Sequence, residues 1–357
     1  MFAIQRWAVA LTLAMTCTAF VAPAEAAEKS KFRIAWSIYV GWMPWGHLAD
    51  SGIMKKWADK YGIEVEIVQI NDYIESINQF TAGAFDGCSM TNMDALSIPA
   101  AGGVDSTALI VGDFSNGNDG LVAKKGLALK TLAGEKVHLV ELSVSHYLLA
   151  RGLESVGLAE KDLTVVNTSD ADIVSAFTSA DDVKAVVTWN PQLTEVLKFP
   201  GAEKLFDSSQ IPGEIIDLMV VNTKTLADNP KLGKALVGAW YELMATMAKD
   251  DEAGKAVRTA MAKAAGTDLA GFDSQLATTR MFYAPGEAVT FTKSSDLPKT
   301  MDYVRTFLFA HGLLGEGAKS ADAVGIAFPD GKVMGDEGNV KFRFDASYME
   351  MAAGGKL

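Results

Sequence analysis

Two α/β lobes facing one another across a cleft are expected from three features of this 357-residue chain. Strand-like and helix-like stretches alternate along most of it, the pattern of mainly parallel sheets flanked by helices. The alternation pauses at the turn-rich "SNGNDG" and restarts near Lys124, which marks a second unit rather than a repeat. With 49% hydrophobic residues, the chain can fill two cores.

The elements follow in order. Residues 1–26 read as an export signal: Arg6 lies in a short n-region, an apolar run spans Trp7 to Val21, and "AEA" (24–26) offers a cleavage site. The run is too short for a comfortable membrane span, and Thr16 before Cys17 does not suit lipidation. "KFRIAW" predicts a strand and "GHLADSGIMKKWADKYG" a helix closed by Gly62. "IEVEIVQI" alternates at period two, and "IESINQFTAGA" returns to helical spacing. "FDGCSM" is a short strand and "VDSTALIVGDF" another. In the second unit "GEKVHLVE", "DLTVVNTS" and "VKAVVTWNP" are strands, separated by the helices "SVSHYLLARGLESVGL" and "ADIVSAFTSADD". A loop with Pro212 and Gly213 then leads into "IIDLMVVNTKTL", after which four segments up to "SSDLPKTMDYVRTFLFAHGLL" read as helices, "FDSQLATTRM" among them. The expected boundaries are 28–121 with 215–315 for lobe 1, 122–214 for lobe 2, crossings near residues 120 and 215, and a loosely packed extension over 316–357.

The net charge of −12 opposes nucleic acid and anionic lipid as partners. Loss of the signal removes Cys17 and leaves Cys88 alone, so no internal disulfide is expected and Cys88 reads as a small buried residue. Four histidines (His47, His138, His146, His311) fall in no metal-ligand spacing. There is no nucleophile elbow, Walker loop or dinucleotide fingerprint. No cofactor and no metal are implied, and catalysis is disfavoured.

Strand-to-helix junctions are more informative, because ligands in open α/β folds bind at strand ends where two lobes meet. Trp36, Tyr39, Trp42 and Trp45 follow the first strand, "SMTNMDAL" supplies Asn92 and Asp94, "VELSVSHYLL" supplies Ser143, Ser145 and His146, and "VTWNPQL" supplies Trp189 and Asn190. Four such junctions split between two lobes suggest one shared pocket. Each residue also has a plainer reading: tryptophans fill cores, as Trp57 and Trp240 on helices should. Ser143 or Ser145 would cap a helix, His146 would be a surface residue, and Asp94 would answer a helix dipole.

These stretches resemble the periplasmic substrate-binding proteins of ABC importers in the nitrate/sulfonate/taurine group, which share a fold with thiamine-precursor-binding proteins. The likeness is carried by "YIESINQFTAGAFDGCSMTNMDAL", "SNGNDGLVAKKG", "LAGEKVHLVELSVSHYLLARGLESVGL", "AVVTWNPQL" and "VVNTKTLADNPKLGKAL", across most of residues 32–310. It implies the type II two-lobed periplasmic binding protein fold, a monomeric periplasmic receptor, hinge closure on a small solute, and delivery to a transmembrane permease. "WSIYVGWMPWG" and the terminal "VKFRFDASYMEMAAGGKL" are similar to the subgroup encoded beside urea carboxylase genes, which implies a nitrogen-rich ligand, guanidine or urea. Anion-binding relatives carry a glycine where this chain has Leu142, preceded by Glu141. A desolvated carboxylate there would repel an anion and pair with guanidinium. The expected cage is therefore Glu141, Asp94 and Asp72 or Asp217, walled by Trp42, Trp45 and Trp189, with Ser143, Ser145 or Asn92 donating to urea if urea is the guest. The alternatives are an anion (taurine, an alkanesulfonate or nitrate), a thiamine-precursor pyrimidine, a sensor subunit, or an enzyme like the pyrimidine synthases of this fold, which would need a nucleophile or cofactor lysine.

Overall fold

The structure, a computed structural model, describes residues 29–357; the expected signal lies outside them. Among the described residues fourteen strands form two sheets. They are β1 (Lys31–Trp36), β2 (Glu64–Gln69), β3 (Gly87–Thr91), β4 (Ser106–Ser115), β5 (Asp119–Lys124), β6 (Lys136–Leu139), β7 (Thr164–Asn167), β8 (Ala185–Trp189), β9 (Ala202–Asp207), β10 (Ile216–Asn222), β11 (Thr279–Met281), β12 (Gly325–Ala327), β13 (Val333–Met334) and β14 (Val340–Phe344). The large sheet runs β13-β12-β14-β4-β10-β3-β1-β2, with β11 also on β4, and the small one runs β7-β6-β8-β5-β9.

Both sheets are mixed. Within the large sheet β2, β1 and β3 are parallel, as are β12, β14 and β4, while β10 is antiparallel to both β3 and β4. In the small sheet β7, β6 and β8 are parallel, and β5 is antiparallel to β8 and β9. The chain enters β5 and β10, each antiparallel to both its neighbours, on changing lobe; β11 and β13 are further antiparallel strands at the margin of the large sheet. β4 ends at Ser115 and β5 begins at Asp119, with three residues between them; β9 ends at Asp207 and the chain re-enters the large sheet at Ile216. These are the two crossings, close to residues 120 and 215.

Three expectations are corrected. The long helix after β1 is two, Met43–Asp50 and Ile53–Tyr61, because Gly52 takes φ 77° between them. "FDSQLATTRM" is a helix only over Leu269–Leu276; Thr279–Met281 turns into β11 and pairs with β4. The segment beyond Glu316 is not loosely packed. β12, β13 and β14 extend the large sheet beyond β4, and Phe342, Phe344, Ile326 and Met349 are buried. Alternation in "VKFRF" is the period-two signal of a strand with one wet face, and its pattern is intermediate-intermediate-buried-intermediate-buried.

Large aromatic residues cement the large lobe. Trp45, on the helix Met43–Asp50, stacks on Trp240 of the helix Pro230–Met247 at 4.9 Å. Gly238 of that second helix lets Trp57 lie against its backbone, since a Cβ there would sit 2.4 Å from the indole. Among the described residues no helix is long and apolar enough to cross a membrane.

Candidate functional site

A narrow cavity lies where the two crossings meet the strand ends. It comprises about 260 Å3 of atom-free space, part of it open to solvent, and is lined by Tyr39, Trp42, Tyr73, Thr91, Asp119, Val144, Trp189, Ile215 and Asp217. Both lobes contribute: Asp217 stands on β10 of the large sheet, whereas Asp119 and Trp189 face each other across β5 and β8 of the small one.

Four rings make a continuous wall. Tyr39 meets Trp42 edge-on at 5.0 Å, Trp42 lies tilted on Tyr73 at 5.5 Å, and Tyr73 meets Trp189 edge-on at 5.7 Å. The wall therefore runs from the loop after β1, through the helix Tyr73–Thr81, to β8 in the other lobe. Trp42 Nε1 is buried and has no hydrogen-bond partner.

Four buried carboxyl groups stand behind and between these rings: Asp94, Asp113, Asp119 and Asp217. Asp94 follows Thr91, which caps the short helix Asn92–Ala95. Its Oδ2 accepts from the Tyr73 hydroxyl at 2.6 Å and the Thr91 hydroxyl at 2.8 Å, while Oδ1 is left without a well-formed bond. Asp113 and Asp217 lie directly opposite each other on β4 and β10, and each keeps an unpartnered Oδ2. Asp113 Oδ1 accepts from the Tyr39 hydroxyl at 2.9 Å. Gly41 makes that packing feasible, because a Cβ there would lie 2.5 Å from the Tyr39 ring and 2.6 Å from Asp113 Oδ2. Asp119 Oδ2 accepts from Ser115 Oγ at 2.5 Å, so the carboxyl is moored to the crossing itself.

Burial raises all four. The Asp94 carboxyl is pushed up to about 6, and Asp113 and Asp119 to about 7. Asp217 goes well above the ordinary range, through burial first and then through Asp113 beside it. Burial likewise lifts the Tyr39 and Tyr73 phenols, which stay protonated donors. No lysine or arginine of the described residues pairs with any of the four acids. Clustered buried carboxylates without a counter-charge are costly unless they are protonated or a cation joins them.

The residues singled out in the sequence now separate. Tyr39, Trp42, Trp189 and Asp217 line the cavity, and Asp94 stands directly behind Tyr73 and Thr91. The others do other work. Trp45 is sealed against Trp240 in the large-lobe core. Trp36 packs beside Gly46 and lines a separate surface hollow with Met43 and His47. Asp72 caps the helix Tyr73–Thr81 from an exposed position, its side chain accepting from Glu75 N. Asn92 ties the second crossing to β3, donating to Glu214 O and accepting from Ile216 N. Asn190 is held between Asn118, Thr194 and Thr278. Ser143 caps the helix Val144–Ser155, and Ser145 is buried beside it with its hydroxyl unpartnered. His146 faces Glu160 and His311 at the lobe seam. Glu141 is exposed, its amide bound to Asn167, so it brings no charge to the cavity. The chain turns outward there because Leu142 takes φ 64°, the left-handed conformation a glycine would adopt without strain.

Sequence reasoning missed Tyr73, Thr91, Asp113, Asp119, Val144 and Ile215. One signal was available: an aspartate inside the apolar run "TALIVGDF" has no solvent to face if that strand is central. Asp119 was hidden in "SNGNDG", where Asn, Gly and Asp are ordinary turn residues.

Comparison with known proteins adds two findings. Residues 35–264 match the NMT1-like family. Among solved structures, the alkanesulfonate-binding protein SsuA from Xanthomonas axonopodis pv. citri, bound to MOPS, superposes with TM-score 0.65 at 16% identity over 84% of this chain and 99% of its own. SsuA from Escherichia coli, an aliphatic sulphonate binding protein, gives 0.63 at 18% over 80% and 94%. The nitrate-binding protein NrtA from Synechocystis PCC 6803 gives 0.58 at 12% over 91% and 99%. At these identities the likeness is of fold, the two-lobed periplasmic binding protein fold. No curated protein sequence matches.

Proposed function

The chain belongs to the NMT1-like family, and we propose that it is the periplasmic solute-binding component of an ABC importer that closes on a small planar cation, of which guanidinium is the best fit. The cluster of Asp94, Asp113, Asp119 and Asp217 around four aromatic rings carries this reading. A guanidinium ion presents six N–H donors in one plane. Carboxylates accept such donors in charge-assisted pairs, and rings over a planar cation add about 0.5–2 kcal/mol each. Its charge would offset the burial that otherwise keeps these acids protonated.

The anion reading is disfavoured at this site. Alkanesulfonate and nitrate are what the compared proteins are named for, but no cationic side chain lines this cavity. The positive end of the helix Val144–Ser155 is engaged by Ser143 and Asp94. Urea, flat and neutral, would use the same acceptors and is the second reading; it would leave the acids' charge uncompensated. The receptor role, the permease as partner, export by a signal and a physiological link to urea carboxylase rest on the family and the resemblance.

A thermal-shift panel of guanidinium at low millimolar concentration, urea, taurine, nitrate and a thiamine-precursor pyrimidine tests the assignment. Guanidinium should raise Tm by several degrees without being consumed. Stabilisation by taurine or nitrate alone overturns it.

A further inference from the structure

We propose that Glu160, His146 and His311 form a proton-dependent latch across the lobe seam that holds the guest-free molecule shut. His146 lies in the first turn of the helix Val144–Ser155 and Glu160 follows that helix, both in the small lobe. His311 ends the helix Asp296–Ala310 of the large lobe. Glu160 Oε2 meets His311 Nε2, and Glu160 Oε1 lies 2.6 Å from His146 Nε2. Phe307, a turn before His311, lies on the His311 ring at 4.0 Å and meets Tyr147 edge-on at 5.2 Å.

Backbone partners fix the protons. His311 Nδ1 is 2.8 Å from Phe307 O, which only accepts, so Nδ1 carries a hydrogen. Nε2 then needs a second hydrogen to bond an ionised Glu160, which makes His311 an imidazolium. Glu160 raises the His311 pKa, and burial opposes it. The two imidazoles hold the Glu160 carboxyl down, at about 2, against the opposing effect of burial. His146 Nδ1 accepts from Leu142 N–H at 3.1 Å, so its Nε2 is the protonated nitrogen when the ring is neutral. The three residues offer atoms within 4.8 Å of one another, as a metal would require. Protonation of His146 Nε2 opposes that use, because a metal needs its lone pair.

Other charges nearby do not replace the latch. Arg151, further along the same helix, is tied to Glu214 and Glu154. Asp170, facing Asp72 and the Tyr73 backbone, is a second titrating contact; it ionises as pH rises and so weakens closure in the same direction as loss of the latch, which is why the variants below are compared with the wild type. Since the raised pKa belongs to the closed form, the latch is fully formed below the ordinary histidine range and is lost as pH rises through the raised value. The latch lies two residues from Val144 in the cavity wall, so closure and guest capture share one helix.

The test is a pair of spin labels, one on each lobe, read by pulsed dipolar spectroscopy on guest-free protein between pH 5.5 and 8.5. The wild-type closed population should fall about three- to tenfold over that range. His311→Gln and Glu160→Gln should both remove the part of the fall that the wild type shows beyond them, while keeping the guanidinium response at pH 8.5. Profiles of wild type and His311→Gln that superimpose overturn the latch, whatever the guest. Micromolar zinc closing the wild type at pH 8.5, but not His311→Gln, overturns it in favour of a metal bridge.

Discussion

Trp42 and Trp45 sit three positions apart in one aromatic loop, yet one faces the cavity and the other is sealed against Trp240. Nothing local to "GWMPWG" distinguishes them; the helix that begins at Met43 rotates the second indole into the core. Their variants should part in the same way. Trp45→Ala should cost about 3–5 kcal/mol of stability by opening a cavity, with guest preference unchanged in the folded fraction. Trp42→Ala should cost less stability and weaken guanidinium about tenfold, measured by calorimetry and chemical denaturation. The acids behave in another way. Asp217→Asn removes an ionisable carboxyl from beside Asp113, so the guest-free protein should lose less stability than the wild type as pH rises while guanidinium binding falls at least tenfold. A lower melting point with unchanged binding would take Asp217 out of the site. Glu141, read from the sequence as the decisive acid, is exposed, because the left-handed turn at Leu142 depends on backbone geometry that composition does not reveal.

At the scale of elements, the strands of both sheets that alternate or run apolar were legible. The tail was not. Short strands such as β12 and β13 have two or three residues and no period of their own; they exist because β4 and β14 offer an edge to pair with. That dependence is mutual. β14 covers the side of β4 opposite β10, and β4 carries Asp113. A chain ending at Gly315 would leave that edge open and expose the apolar face beneath Phe342 and Phe344. It should aggregate or lose more than 10 °C in Tm, about the cost of several buried aromatic side chains. A truncated chain that stays monomeric and keeps its melting point would mean that the extension is an ornament of the sheet rather than part of it.

For the whole molecule, the cavity acids and the seam histidine make closure a question of protons. Asp94, Asp113 and Asp119 have folded-state pKa values raised to about 6–7 from an unfolded value near 4. Between those limits the folded chain holds more protons than the unfolded one, so guest-free stability falls as pH rises from about 4 to 7. A bound cation favours the ionised acids and lowers their pKa values again. Capture near pH 6.5 must therefore release protons, and affinity must rise with pH until the acids are ionised without help. Calorimetry in two buffers of different ionisation enthalpy should report between about one half and two protons released per guanidinium at pH 6.5 and close to none at pH 9. Urea, with no charge to exchange, should release far fewer. The histidine latch opposes capture in the same sense as the protonated acids, tightening the empty molecule as pH falls, so a receptor in an acidified medium would be shut and protonated, and one near neutrality would be open and charged. Proton release of the same size for guanidinium and for urea would mean that the guest's charge plays no part in ionising the acids.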